Sequence, residues 1–330
     1  MKLLYYLIAC TCIWMGCATN SFKKINFEKY TSEHPIKLAN EVTFFKDVYY
    51  DTSQWTVFDI FIPTSSNRVP LVIFIHGGGF TTGDKADVYN RGKFPEEIKE
   101  LTSKGIAYAT INYRLLGTSD ATSVMSCLND AKRCLQFIRF HAKELNIDEH
   151  RIGLYGGSAG AGTSLWLAMS EDMQNNDSKD PLEKKSTRVK AVAAYATQAT
   201  YDISKWDDIF SEYSMTDAEI SNIIGHHMIA GFYGVASLTD IDKKDIEAMR
   251  KNLDLTELIT TDDPPLWIHN PNKATEKPKD LNELYHHYRH GDALYSKTKK
   301  TGIKSYVNLP AKPFTSENWI DLVSFFVKYL

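Results

Sequence analysis

Two glycine-rich turns hold the residues best suited to chemistry. In Gly156-Gly157-Ser158-Ala159-Gly160 a single serine stands among small residues, between an apolar run at 151–156 and a helical segment that begins at 159. A sharp strand-to-helix turn lifts a hydroxyl clear of the backbone and presents it at a helix N-terminus, as a nucleophile must be presented. The plain structural use of the same serine is as the N-cap of that helix. The second turn, His76-Gly77-Gly78-Gly79-Phe80, follows directly on the apolar run 69–76. Side chains would block close approach there, and glycine reaches the positive φ values that such a turn needs. The N–H groups of Gly78 and Gly79, completed by that of Ala159, would then form an oxyanion hole around a tetrahedral acyl intermediate.

Both turns need strands and helices to aim them. EVTFFKDVYY (41–50) and WTVFDIFIP (55–63) alternate and are rich in β-branched and aromatic residues, which predicts antiparallel strands. VPLVIFIH (69–76) is continuously apolar, as a strand buried on both faces should be. The pattern then predicts a helix at 94–103, a strand at 105–113, a helix at 124–144, a strand at 151–156, a helix at 159–170 and a strand at 189–196. This alternation predicts an α/β fold with a mostly parallel sheet and helices on both faces. The largely helical stretch 200–258 interrupts it and reads as a cap. A strand at 265–270, a loop at 271–280, a helix at 282–299, a strand at 303–308 and a helix at 316–329 complete a single domain over 41–330.

The stretch 55–170 resembles the α/β-hydrolase superfamily. More narrowly it is similar to the bacterial feruloyl/acetyl-xylan esterase-like branch, near the hormone-sensitive-lipase and carboxylesterase group. The residues concerned are Phe58-Asp59-Ile60-Phe61, His76 through Phe80 with Gly83-Asp84-Lys85, Ile111-Asn112-Tyr113-Arg114, Asn129-Asp130-Ala131, Ile147-Asp148 and Arg151-Ile152 leading into the serine turn. The resemblance implies an eight-stranded sheet, a Ser-His-Asp triad that hydrolyses carboxylic esters, and oxyanion donors at Gly78, Gly79 and Ala159. It implies scaffold roles for Arg114 and Asp130, and small esters or acylated carbohydrates as substrates.

The second half departs from that pattern. The family keeps its acid after the penultimate strand and its histidine after the last. Here Lys273 stands about where the acid belongs, and Asn308-Leu309-Pro310-Ala311-Lys312-Pro313-Phe314 contains no histidine. A serine at neutral pH is a poor nucleophile without a base. The segment 271–290, at the same sheet edge as Ser158, offers Asp280, Glu283, His286, His287 and His290, and the cap offers His226 and His227. Leu284, Tyr288 and Tyr295 mark the core face of the predicted helix and leave His287 near its boundary; His287 with Asp280 is one candidate pair, and the sequence does not choose among the histidines. A solvated, histidine-rich face is the competing reading. His269 reads as structural, and Asp262 and Asp263 precede their strand, at the wrong edge. Two functions follow: an exported serine esterase, or a hydrolase-fold binding protein impaired by its incomplete triad.

The N-terminus reads as a targeting segment. Lys2 precedes an apolar stretch from Leu3 to Met15, too short for a membrane span. Gly16-Cys17 resembles the end of a bacterial lipoprotein signal, with Cys17 as the lipidated residue. Residues 1–20 are therefore expected to be a signal peptide and 21–40 a tether, placing the protein in the periplasm or at the outer membrane. Cys127 and Cys134 lie seven apart on one predicted helix, about 10 Å of rise, too far to bridge. The 330 residues hold 38 basic and 41 acidic side chains, a formal net charge of −3, which argues against a nucleic-acid partner. No cofactor and no metal site is expected.

Overall fold

The computed structural model describes residues 25–38, 41–118 and 120–330. The expected signal peptide and Cys17 lie outside the described residues. The first half follows the predicted alternation: β1 (Val42–Tyr49), β2 (Val57–Pro63), β3 (Val69–Ile75), α1 (Phe94–Ser103), β4 (Ala107–Ile111), α2 (Val124–Phe140), β5 (Ile147–Gly157), α3 (Ala159–Met169) and β6 (Ala191–Tyr195). The cap holds α4 (Trp206–Ile209), α5 (Asp217–Ile224), α6 (His226–Tyr233), α7 (Lys244–Asn252) and α8 (Leu255–Leu258). Then come β7 (Leu266–His269), α9 (Leu281–Tyr285), α10 (Tyr288–Thr301), β8 (Ser305–Leu309), β9 (Phe314–Thr315) and α11 (Leu322–Tyr329).

The strands form one sheet in the order β1-β2-β4-β3-β5-β6-β7-β8-β9. From β4 through β8 all pairings are parallel, while β1 and β2 at one edge and β9 at the other are antiparallel. The apolar runs explain the layering. Every residue of β2, β3 and β4 is buried. One core packs the sheet against α2, α3, α10 and the cap. The other packs it against α1 and α11. Chain order reverses at β3, so the carboxyl ends of β3 and β5 flank a crevice at the switch point, where open α/β sheets bind their ligands.

Four expectations need correction. The sheet has nine strands rather than eight, because Phe314-Thr315 folds back on Asn308-Leu309 as a hairpin. The helix predicted over 282–299 is two helices, broken at His286-His287. The last helix starts at Leu322 and not at 316. The described part of the predicted tether is packed: Phe27 is buried against Phe45 and His141, and Thr31 bridges to Phe45. One aromatic ring at the right spacing outweighs the polar residues around it, because burying it contributes about 2 kcal/mol.

Candidate active site

Ser158 lies between the end of β5 and the start of α3, with φ 53° and ψ −122°. An L-residue held there costs about 1–3 kcal/mol and must be over-determined by its surroundings. Ser158 N–H donates to the Tyr195 carbonyl at 2.9 Å, and Gly162 N–H donates to the Ser158 carbonyl at 3.1 Å. The glycines permit this closeness. A Cβ on Gly156 would fall 2.3 Å from the Gly160 backbone, and one on Gly160 would fall 1.9 Å from the Ile75 carbonyl oxygen. The side chain of Ser158 makes no capping bond to α3, so the N-cap role is not the one it plays.

The hydroxyl instead meets a ring. Ser158 Oγ lies 2.8 Å from His286 Nε2. His286 Nδ1 lies 3.0 Å from Asn282 Oδ1. Asn282 and His286 are four residues apart on one helical turn, with His286 N–H donating to the Asn282 carbonyl, so both side chains share a face. Burial pulls the His286 pKa below its usual value, and its bond to Asn282 acts in the opposite sense. A neutral imidazole in this position can accept a proton at Nε2.

The placement of His286 corrects that candidate pair. His287 is fully buried; its Nε2 lies 3.1 Å from the Glu276 carbonyl, and its Nδ1 accepts from Arg289 N–H at 3.3 Å, capping α10. Its ring therefore faces the core, away from Ser158. Asp280 is the N-cap of α9 and accepts from Glu283 N–H at 2.8 Å. Its carboxylate serves the helix. His290 is buried between the Ala199 N–H and the Leu284 carbonyl, and burial pushes it down to about 3. Of the cap histidines, only His227 lines the cavity at Ser158.

Two amides hold His286 in place, and sequence reasoning missed both. Asn270, at the end of β7, is buried; its Nδ2 donates to the carbonyls of His286 at 3.0 Å and His287 at 3.2 Å. Gln198, beyond β6, donates to the Tyr285 carbonyl at 2.9 Å. The signal for Asn282 was present as an Asn-x-x-x-His spacing, but the search for a partner was confined to carboxylates.

Gly78 and Gly79 adopt φ 102° and 61°. Among the described residues their N–H groups meet no protein acceptor, and Ala159, first in its helix, has no intrahelical one. The turn is braced from below. Tyr113 Oη donates to the His76 carbonyl at 2.9 Å, and Leu116 N–H donates to the Phe80 carbonyl at 2.7 Å. Arg114 forks onto Asp130 at 2.9 and 2.7 Å, fixing the 112–117 segment as a scaffold pair should.

Ser158 borders two cavities. One, of about 370 Å³, is apolar and lies under the cap, walled by Phe80, Tyr201, Trp206, Met228 and Phe232. The other, of about 980 Å³, is more polar and contains His286, with Asp84, Asp87, Arg91, Thr82 and Asn272 in its walls beside Phe74 and Phe94. Among the described residues no group of three or more His, Cys, Asp or Glu side chains is disposed to hold a metal ion.

A family model described as BD-FAE matches residues 58–273, more than half of the chain. The chain belongs to the BD-FAE family, an esterase family of the α/β-hydrolase fold. The matched span contains Ser158 and both glycine turns but stops short of Asn282 and His286. A probable carboxylic ester hydrolase, LipM of Mycobacterium tuberculosis, is 30% identical over 144 residues, 43% of this chain and 30% of that protein. The chain spans less than a third of the length of the curated relatives it matches. Two solved structures share the fold. A carbohydrate esterase from gut microbiota has a TM-score of 0.56 at 16% identity, covering 84% of this chain and 87% of the other. Esterase B of Lactobacillus rhamnosis, solved with an inhibitor, has a TM-score of 0.57 at 20% identity, covering 83% and 77%.

Proposed function

We propose that this BD-FAE protein is a serine carboxylic ester hydrolase, with Ser158 as nucleophile and His286 as base. The 2.8 Å contact between Ser158 Oγ and His286 Nε2 carries the reading. Oγ attacks the ester carbonyl carbon as its proton passes to Nε2, and the carbonyl electron pair moves onto oxygen. The N–H groups of Gly78, Gly79 and Ala159 hold that oxyanion. Collapse breaks the bond to the alcohol, which leaves with the proton from Nε2. Water then repeats the sequence on the acyl-enzyme.

The two cavities assign the halves of the ester. Because His286 must protonate the leaving oxygen, the alcohol belongs on the side that holds His286. That side is wide and lined by carboxylates, amides and a guanidinium, which suits a polyhydroxylated alcohol. The acyl group then enters the apolar cavity under the cap. An acylated carbohydrate fits both halves, in keeping with the carbohydrate esterase among the structural neighbours. The competing reading, an impaired binding protein, was motivated by an empty base position, and the His286 ring beside Ser158 Oγ supports the esterase reading over it. Export to the periplasm or outer membrane, with a lipid on Cys17, remains part of the proposal and is supported by the leader sequence.

A fluorophosphonate probe should label Ser158 in the full chain, and Ser158→Ala should lose both labelling and turnover of p-nitrophenyl acetate. Turnover undiminished in Ser158→Ala would overturn the assignment.

A further inference from the structure

A serine–histidine pair needs a third group on the far ring nitrogen to set its tautomer, and in the familiar triads that group is a carboxylate. Here it is an amide. Asn282 Oδ1 lies 3.0 Å from His286 Nδ1, and among the described residues no carboxylate bonds the ring. The carboxylates that sequence spacing offers are spoken for: Asp280 accepts from Glu283 N–H, and Glu283 accepts from Lys279 N–H at 2.9 Å. The loop after β8, where the family keeps its histidine, is folded back as the β8–β9 hairpin.

We propose that Asn282 completes the site as an uncharged positioning residue, holding His286 as the Nδ1–H tautomer so that the Nε2 lone pair faces Ser158. The inference rests on the reading of Ser158 as nucleophile and His286 as base. An amide oxygen accepts from Nδ1–H as a carboxylate would, but adds no negative charge. It therefore orients the ring while favouring the imidazolium less than a carboxylate would. The other titratable and charged groups near the ring are Tyr195 on β6, Asp84, Asp87 and Arg91 beyond β3, His76 at the end of β3, Tyr285 on α9, and His287 and His290 at the start of α10. None of them bonds it. His76, His287 and His290 spend a ring nitrogen on a backbone carbonyl.

Both informative substitutions should fold. Asn282 is exposed in the first turn of α9, where Asp complements the helix dipole and Ala favours the helix. The tautomer can be read by ¹⁵N NMR of histidine-labelled full chain, with the His286 signals assigned by their loss in His286→Gln. The wild-type ring should carry its proton on Nδ1 at neutral pH, and Asn282→Ala should lose that preference. In the same protein kcat for p-nitrophenyl acetate should fall about tenfold or more, with KM within about twofold. The loss should stay below the ~10⁴ seen when a buried triad is given the wrong tautomer, because water reaches this bond. Asn282→Asp should raise the His286 pKa and move the acid limb of kcat/KM upward by about half a pH unit or more, the scale of a solvent-open ion pair. A wild-type tautomer in Asn282→Ala, or an acid limb unmoved in Asn282→Asp, would overturn the inference. If Ser158 proves inert to the probe, the esterase reading fails by itself, and the NMR comparison still decides what Asn282 does to the ring.

Discussion

Asn270 bears on activity without touching substrate. Its Nδ2 donates to two consecutive carbonyls, those of His286 and His287, and its Oδ1 accepts from Asn272 N–H at 3.1 Å. Asn270→Ala removes all three bonds. At about 0.5–1.5 kcal/mol net for each, the loss of stability should be about 1.5–4.5 kcal/mol. The upper half of that range is favoured because Asn270 is 1% exposed, so its partners are left out of reach of bulk water: the His286 carbonyl loses its Asn270 donor, while the His287 carbonyl keeps that of His290 N–H. The rate should suffer beyond this. With Asn270 gone, no side chain holds the His286 carbonyl, although Gln198 still bonds Tyr285 and the His287 ring still bonds the Glu276 carbonyl, and a misplacement of about 1 Å at a reacting group can cost about 10² in rate. Stability would be read from urea unfolding, and rate from fluorophosphonate labelling of Ser158 at a temperature well below the variant's Tm. The expected result is a labelling rate lowered about tenfold to a hundredfold in protein that remains folded. A variant that loses the predicted stability yet labels within twofold of wild type would refute the idea that this amide positions His286.

Other outcomes follow from particular contacts. Glu97 has a buried, unpartnered Oε2, and burial raises its carboxyl to about 7 from 4.5. The raised folded-state value means that its stabilising contribution is complete below about pH 4.5 and is lost as pH rises through about 7, about 3 kcal/mol in all. Glu97→Gln should therefore gain on wild type by about that amount between pH 4 and pH 8 in urea unfolding, and a pH-independent difference would exclude it. Gly160→Ala should fail to accumulate as soluble protein, since its Cβ would overlap the Ile75 carbonyl, whereas Gly157→Ala meets nothing within 4 Å and should stay soluble. Equal behaviour of the two would contradict the turn geometry. Gly231 lines the apolar cavity, and a Cβ there has open space. Gly231→Leu should lower turnover of p-nitrophenyl octanoate at least tenfold relative to the acetate; an unchanged ratio would remove the acyl group from that cavity.

The sequence was most legible where one physical constraint acts alone. A continuous apolar run made β3 recognisable as a doubly buried strand, and the glycines around Ser158 could be read as room for close backbone approach, which Gly156 and Gly160 demand. It was least legible where residues of ordinary type act together. The two-helix character of 281–301 depends on Asn270 and Gln198 gripping carbonyls at the break, and neither residue is near it in sequence. Helical periodicity placed His287 near the boundary of the core face without choosing among the histidines, and the break turns its ring inward and swings its neighbour His286 to Ser158. Asp280 had the right charge, but a residue just before a helix is claimed by the free N–H groups of that helix first. The ninth strand is only Phe314-Thr315, too short to show a period of two.

In the proposed reaction, placing Ser158 on the boundary between an apolar chamber and a more polar one also governs how the catalyst would reset. His286 opens onto the more polar side alone, so whatever would free an acylated Ser158 would enter through the doorway that the departing alcohol had just used. Product exit and water entry would take turns at one threshold. In the proposed reaction, any hydroxyl compound retained there would compete with water for the acyl group.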